Sequence, residues 1–274
     1  GPGRWLCLAT HHKTGTVWMR RTLHAIARAQ DIPLDQVARL GKLESLSSEG
    51  PRILVSWDGG FPRPLFRDPG ARILHVIRDP RDVLISGMHY HLTAPPSRER
   101  FLARRDPSRA GRSYQEHLRA LPGLVERLDF EMRGKHDATL QDMLAWHSGR
   151  ANTIELRYED LMTHADGRPF RAALEEAAIA GLDIDDAVRR FRDNSLFGGL
   201  RDPVERDRIA RHIGSGRLER WRREMPRETA ETYAARHGAA LRLLGYAEND
   251  GWVSECRPAA EIEAEADAAR RAAE

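Results

Sequence analysis

Trp5-Leu6-Cys7-Leu8-Ala9-Thr10-His11-His12-Lys13-Thr14-Gly15-Thr16-Val17-Trp18 is the stretch whose reading decides the fold. Its opening apolar run is too short for a helix and reads as a buried strand. The polar, glycine-containing segment from His11 ends that strand, and a helical pattern then runs from Val17 to about Ala29. A strand that stops at such a turn before a helix leaves backbone N–H groups and the positive helix end facing one point, which suits a phosphate-like anion. Lys13 adds a full charge, and Thr14 and Thr16 add hydroxyl donors. The run is shorter than an ATP or GTP P-loop and its lysine precedes the glycine, so it departs from the GxxxxGK[ST] form.

Working outward, Pro51 to Trp57 reads as a second strand closed by the turn Asp58-Gly59-Gly60. Ala71 to Arg78 is a third, and Asp79-Pro80 supplies an N-cap and a first-turn proline for a helix through about His91. Thr153 to Tyr158 is a fourth. Strands separated by helical stretches call for parallel pairing with crossovers. The expected architecture is therefore α/β: a P-loop-like, doubly wound parallel sheet flanked by helices, forming a single domain over residues 4–250. Its part after Tyr158 reads as mostly helical, over Pro169 to Ala180, Asp183 to Asp193 and Pro226 to Leu244, and 251–274 as a helical tail, solvated or frayed. The Arg/Pro/Ser-rich stretch from His91 to Tyr114 reads as a mobile lid or substrate loop.

Composition narrows the class. The chain has 274 residues, 41% of them hydrophobic and 31% charged, enough for an ordinary core and against global disorder. No apolar run reaches the roughly 18 residues of a membrane span, and no secretory leader is visible, so the expectation is a cytoplasmic protein without a membrane partner. Gly1-Pro2 reads as a protease-cleavage remnant. Cys7 and Cys256 lie far apart with no CxxC partner, against a disulfide framework and a cysteine-built zinc site. Basic and acidic residues number 44 and 41, a net charge of +3, which does not by itself imply nucleic acid and suits a small anionic ligand.

A second anion-binding segment accompanies the first. Arg78 ends a strand, a helix starts at Asp79-Pro80, and Ser86 follows near the carboxyl edge of the sheet, where both side chains could meet one anion. Taken together, these segments resemble the sulfotransferases that use 3′-phosphoadenosine 5′-phosphosulfate (PAPS). Lys13-Thr14-Gly15-Thr16-Val17-Trp18 is similar to that family's 5′-phosphosulfate loop, and Arg78-Asp79-Pro80-Arg81-Asp82-Val83-Leu84-Ile85-Ser86 to its 3′-phosphate segment. Tyr158-Glu159-Asp160-Leu161 looks like its Tyr-Glu-Asp run, with the tyrosine near the adenine. The C-terminal signature is only partly similar to Gly214-Ser215-Gly216-Arg217-Leu218-Glu219-Arg220-Trp221: the leading basic pair is missing, Gly216 and Arg217 are its cofactor-binding candidates, and Arg211, His212 or Arg217 could compensate.

The resemblance implies transfer of the sulfuryl group of PAPS to a hydroxyl, or an amine, of a small-molecule or carbohydrate acceptor, with adenosine 3′,5′-bisphosphate as product. Lys13 would stabilise the transferring or leaving group, and no metal is required. His89 and His91 are two apart on one helix and read as packing or polar contacts rather than ligands. Many family members carry a histidine base at the end of the second strand; the matching Val55-Ser56-Trp57 has none. Asp58, one position on, is the candidate base, with a turn-forming aspartate as the alternative and His12 or His11 as rivals. Trp57 reads as core or as lining an acceptor pocket. Competing classes are a P-loop-type small-molecule kinase and a heparin- or nucleic-acid-binding module, the latter leaving both anion loops without purpose. Oligomeric state is open at this level.

Overall fold

The computed structural model describes residues 1–46, 49–146, 151–195 and 218–273. The chain forms two compact units, Gly1–Arg78 with Asp142–Arg211, and Asp79–Gln141 with His212–Glu274.

The first unit holds a five-stranded sheet of β1 (Trp5–Ala9), β2 (Leu34–Gln36), β3 (Arg52–Ser56), β4 (Ala71–Ile77) and β5 (Thr153–Arg157), in the order β2-β3-β1-β4-β5. Every pairing is parallel, with Cys7 of β1 opposite Leu54 on one side and Ile73 on the other. β1 is central, which explains why all five of its residues are apolar and buried rather than alternating. Trp5, Cys7, Leu54, Ile73 and Trp146 share one core cluster. Helix α1 (Thr16–Ala29) buries Trp18, Met19, Leu23 and Ile26, spaced along one face of a 3.6-residue repeat. The sequence reading misses β2, whose three partly exposed residues form an edge strand and carry no apolar alternation.

The remaining helices are α2 (Leu40–Glu44), α3 (Pro80–Thr93), α4 (Arg100–Ala103), α5 (Tyr114–Ala120), α6 (Leu124–Glu131), α7 (Asp137–Leu144), α8 (Tyr158–Thr163), α9 (Arg168–Ala177), α10 (Ile184–Asp193), α11 (Trp221–Glu224), α12 (Arg227–Leu243) and α13 (Ala259–Ala273). Tyr158 thus starts a helix instead of ending a strand. Among the described residues the second unit contributes no strand to the sheet, and its helices pack around Leu84, Leu118, Met132, Trp221, Tyr233 and Trp252. Residues 251–273 belong to this unit: Ile262 is buried, and Glu263 accepts a hydrogen bond from Leu124 N at 3.1 Å.

The stretch read as a mobile loop has structure of its own. Short 3₁₀ turns at Pro96–Arg98 and Pro107–Arg109 flank α4, and Arg105 bridges to Ser113. It ends at a capping box, in which Ser113 and Glu116 satisfy each other's backbone N–H groups at the start of α5. Between α6 and α7, Met132–His136 forms a π-helical turn with Gly134 off the helical backbone, where a Cβ would lie 2.8 Å from the Tyr114 hydroxyl. Among the described residues no helix is long and apolar enough to cross a membrane. Cys7 and Cys256 are buried free thiols, and burial pushes Cys256 up to about 11.

Candidate functional site

Parallel pairing brings the carboxyl ends of β1, β3, β4 and β5 to one edge of the sheet, and each is followed closely by a residue singled out from the sequence. After β1 the chain folds into a tight anion cradle whose hub is His11. The His11 carbonyl accepts from Thr14 N at 3.2 Å, Thr14 Oγ1 at 3.1 Å and Thr16 Oγ1 at 3.0 Å, while His11 N donates to Thr14 Oγ1 at 2.8 Å. Lys13 (φ 64) and Gly15 (φ 102) are both left-handed. For Lys13 that conformation costs roughly 1–2 kcal/mol. Gly15 is needed for a second reason, because a Cβ there would lie 3.0 Å from the Tyr158 ring. The first bond of α1 runs from Met19 N to Gly15 O, which leaves the amides of Thr16, Val17 and Trp18 without intrahelical acceptors. No acid occupies that first turn, so the positive helix end stays uncompensated from within.

After β4, Arg78 is 4% exposed, and its Nη1 donates to the Lys13 carbonyl at 3.1 Å. Its guanidinium lies 4.5 Å from the centre of the Tyr158 ring, a desolvated cation–π contact. Tyr158, which follows β5, meets Trp18 edge to face at 6.4 Å. Trp18 in turn packs on Phe191 at 4.6 Å and donates from Nε1 to the Phe191 carbonyl at 3.4 Å. Lys13, Gly15, Trp18, Arg78 and Tyr158, drawn from three separate segments, therefore converge. Phe191 is a participant that the sequence reading passes over; it sits on the apolar side of a strongly amphipathic helix and looks there like ordinary core.

After β3, Asp58 is exposed and holds a turn, its Oδ1 accepting from Ser56 Oγ at 2.9 Å and from Gly60 N at 3.3 Å. Trp57 is half-buried rather than a core residue. Next to this turn lies a buried pair missed from sequence: His11 Nε2 and His75 Nε2 are 2.7 Å apart, and His75 stacks on Trp146 at 4.3 Å. Trp146 Nε1 donates to Gly59 O at 3.0 Å, completing the packing. Burial pushes the His11 pKa down to about 4 against a smaller opposing pull from Asp58, so the ring is neutral near pH 7. The signal for the pair was His75, a lone imidazole inside the apolar run Ile73 to Ile77.

Gly59 (φ 73) is enclosed by these rings, and a Cβ would lie 2.4 Å from His11 Cε1. Because His75 and Trp146 hold the His11 ring, Gly59→Ala combines backbone strain with a clash that cannot relax cheaply. It should destabilise the fold by roughly 2 kcal/mol or more and loosen the cradle through His11. A denaturation midpoint equal to the parent's would refute this account.

In the second unit the continuation of the Arg78 segment makes structural contacts. Asp79 caps α3 by accepting from Arg81 N at 2.9 Å, and its carboxylate pairs with the Arg81 guanidinium through two further bonds of 3.0 and 2.7 Å. Arg81 lies 3.9 Å from the Trp221 ring centre, and Asp82 accepts from Trp221 N at 3.1 Å. Trp221, the last residue of the partial C-terminal signature, is thus anchored to α3. Ser86 is buried on α3, and His12 and Val17 are half-buried. His89 meets Glu224 at 3.0 Å, while the buried His91 bonds Glu131 at 2.8 Å, an acid that also accepts from Tyr114 Oη at 2.8 Å. Gly216 and Arg217 lie outside the described residues.

The sulfotransferase domain model matches residues 5–167, more than half of the chain. Carbohydrate sulfotransferase 3 from Homo sapiens is 29% identical over 200 residues, covering 68% of this chain and 36% of that protein, so the chain spans about a third of that relative's length. In fold, the chain is similar to mouse sulfotransferase SULT7A1 complexed with PAP, at a TM-score of 0.56 and 14% identity with 89% of each chain covered. It is also similar to retinol dehydratase in complex with androsterone and the inactive cofactor PAP, at a TM-score of 0.54 and 13% identity over 88% of this chain and 82% of that one. With the cradle after β1, the arginine after β4 and the tyrosine after β5 on one sheet edge, and a family model matching from β1 to beyond Tyr158, the chain belongs to the sulfotransferase family.

Proposed function

We propose that the protein moves the sulfuryl group of PAPS to a hydroxyl of a carbohydrate acceptor. The observation that carries this reading is the convergence of Lys13, Gly15, Trp18, Arg78 and Tyr158 through the Lys13 carbonyl and the Tyr158 ring. The carbohydrate class follows from the similarity to carbohydrate sulfotransferase 3. These residues fit the donor chemically: free amides at a helix start, a lysine and a buried guanidinium suit an anhydride with a further phosphate, and aromatic rings suit an adenine.

When bound, PAPS supplies a sulfuryl group already activated by a phosphate leaving group. The amides of Thr16 to Trp18 and the Lys13 ammonium would hold the phosphosulfate and stabilise negative charge on it. Arg78 and Ser86 bind the 3′-phosphate, and Tyr158 and Trp18 orient the base. Asp58 would take the proton of the acceptor hydroxyl. Asp58 Oδ1 is committed to the turn, so Oδ2 is the atom that takes it, at the end of the strand beside β1.

Asp58→Asn keeps the turn and removes the base. It should lower turnover by a factor on the order of 10² to 10⁴ with donor affinity kept. Turnover within a few-fold of the parent would move the base to His12. The wider reading is tested by thermal shift: adenosine 3′,5′-bisphosphate should raise the melting temperature, whereas adenosine 5′-monophosphate and ATP with magnesium should do so far less. Equal shifts with all three nucleotides would sink it.

A further inference from the structure

Thr10 N donates to Ser56 O at 3.0 Å where β1 and β3 end. Beyond that bond the cradle and the Asp58 turn both leave the sheet, and a closed circuit of side chains joins them. His75 lies opposite Ala9 in the β1–β4 register, two residues before His11, and its Nε2 meets His11 Nε2 at 2.7 Å. His75 stacks on Trp146 with the ring planes 11° apart, and Phe66 meets the indole edge to face at 5.0 Å. Gly59, whose carbonyl accepts from Trp146 Nε1, closes the circuit against the His11 ring. The functional end of the circuit is the His11 carbonyl, which accepts from Thr14 and Thr16 and so shapes the cradle.

Position 75 is a costly place for an imidazole. Its neighbours along β4, Ile73, Leu74, Val76 and Ile77, are all buried, and a branched aliphatic side chain would fill such a place without desolvating ring nitrogens. A hydrogen bond offsets that cost and adds direction. Of the two facing nitrogens one donates and the other accepts, so a single proton lies between the rings and fixes their orientation. Both side chains are buried, His11 at 1% and His75 at 2% exposure, so water does not stand in for either partner. We propose that His75 is a positioning residue of the donor site: through its bond to the His11 ring it holds the cradle in the shape that receives the 5′-phosphate end of the donor. This deepens the transfer reading above and rests on it. His75 acts through His11, while Trp146 and Phe66 hold His75 in place. An anion site needs its donors fixed to within about 0.5 Å, and the cradle is a turn outside the sheet that takes its rigidity from neighbours.

The test uses the full chain with its His75→Met and His75→Gln variants, titrated calorimetrically with adenosine 3′,5′-bisphosphate and with adenosine 3′-monophosphate. Methionine fills the site with only a weak acceptor, whereas the glutamine amide ends near the place of Nε2 and can donate or accept. The monophosphate lacks the 5′-phosphate and so does not report on the cradle. The parent should prefer the bisphosphate. His75→Met should bind the bisphosphate roughly 10-fold more weakly, the size of one hydrogen bond, with the monophosphate unchanged, and His75→Gln should regain most of the loss. Equal weakening of both nucleotides, or Met and Gln variants that behave alike, would reduce His75 to packing. Should His75→Met not fold, nitrogen NMR of the parent imidazoles decides. His11 and His75 should each show one protonated and one bare nitrogen at separate shifts, and shifts averaged by tautomer exchange would overturn the proposal. A parent that binds neither nucleotide refutes the transfer reading itself, whatever the variants do.

Discussion

Lys13→Ala should leave the enzyme almost inactive, with kcat falling further than donor affinity. The residue stands three positions before the first free amide of α1, and its backbone carbonyl is tied to Arg78, so the side chain springs from a fixed point. Charge on the phosphate leaving group grows as the bond to sulfur lengthens, and an ammonium beside it is attracted more strongly in the transition state than to the bound donor. Interactions of that kind lower kcat when removed. The loss should be on the order of 10³ or more, comparable to deleting one strong donor from a preorganised anion site. Steady-state kinetics at saturating PAPS checks it: parental kcat with a raised KM would reduce Lys13 to a binding contact.

Arg78→Ala should weaken binding of adenosine 3′,5′-bisphosphate by about 100-fold or more and should also soften the apo fold. Two roles meet in this side chain. The first is the proposed charge-assisted, bidentate grip on the 3′-phosphate. The second follows from burial: the guanidinium fills the space between the Lys13 carbonyl and the Tyr158 ring, so truncation strips a hydrogen bond and a cation–π contact from the cradle at once. Calorimetry with adenosine 3′,5′-bisphosphate and with adenosine 5′-phosphosulfate, which lacks the 3′-phosphate, separates them. The variant should lose its preference for the 3′-phosphorylated ligand, and a preference equal to the parent's would remove Arg78 from that role.

The parts of this fold that were readable in the sequence are those where local chemistry has one solution. The fully apolar β1, the glycine turn after it and the Asp79-Pro80 helix start each announce themselves, and the parallel sheet follows from their alternation. β2 was unreadable because an edge strand of three residues, none of them buried, is made by its neighbour's hydrogen bonds and not by its own pattern. The stretch before Tyr114 looked structureless because its arginines and prolines hide a single anchoring leucine and a capping box that starts just beyond it. At the site, the motif residues were legible and their mutual contacts were not. That Tyr158 carries Arg78 on its face, or that His11 is braced by His75 and Trp146, depends on pairings between segments more than sixty positions apart.

The left-handed backbone of Lys13 sets durability against turnover at a single residue. Holding a lysine at φ 64 spends stability in every resting molecule, whereas glycine would occupy the same conformation without steric cost. Lys13→Gly should therefore melt at or above the parental temperature while transferring almost nothing, a separation that alanine, which keeps the Cβ, would not produce. Screening this protein for thermal robustness alone would drift toward exchanging that lysine, and the hardiest descendants would be those that had lost the reaction.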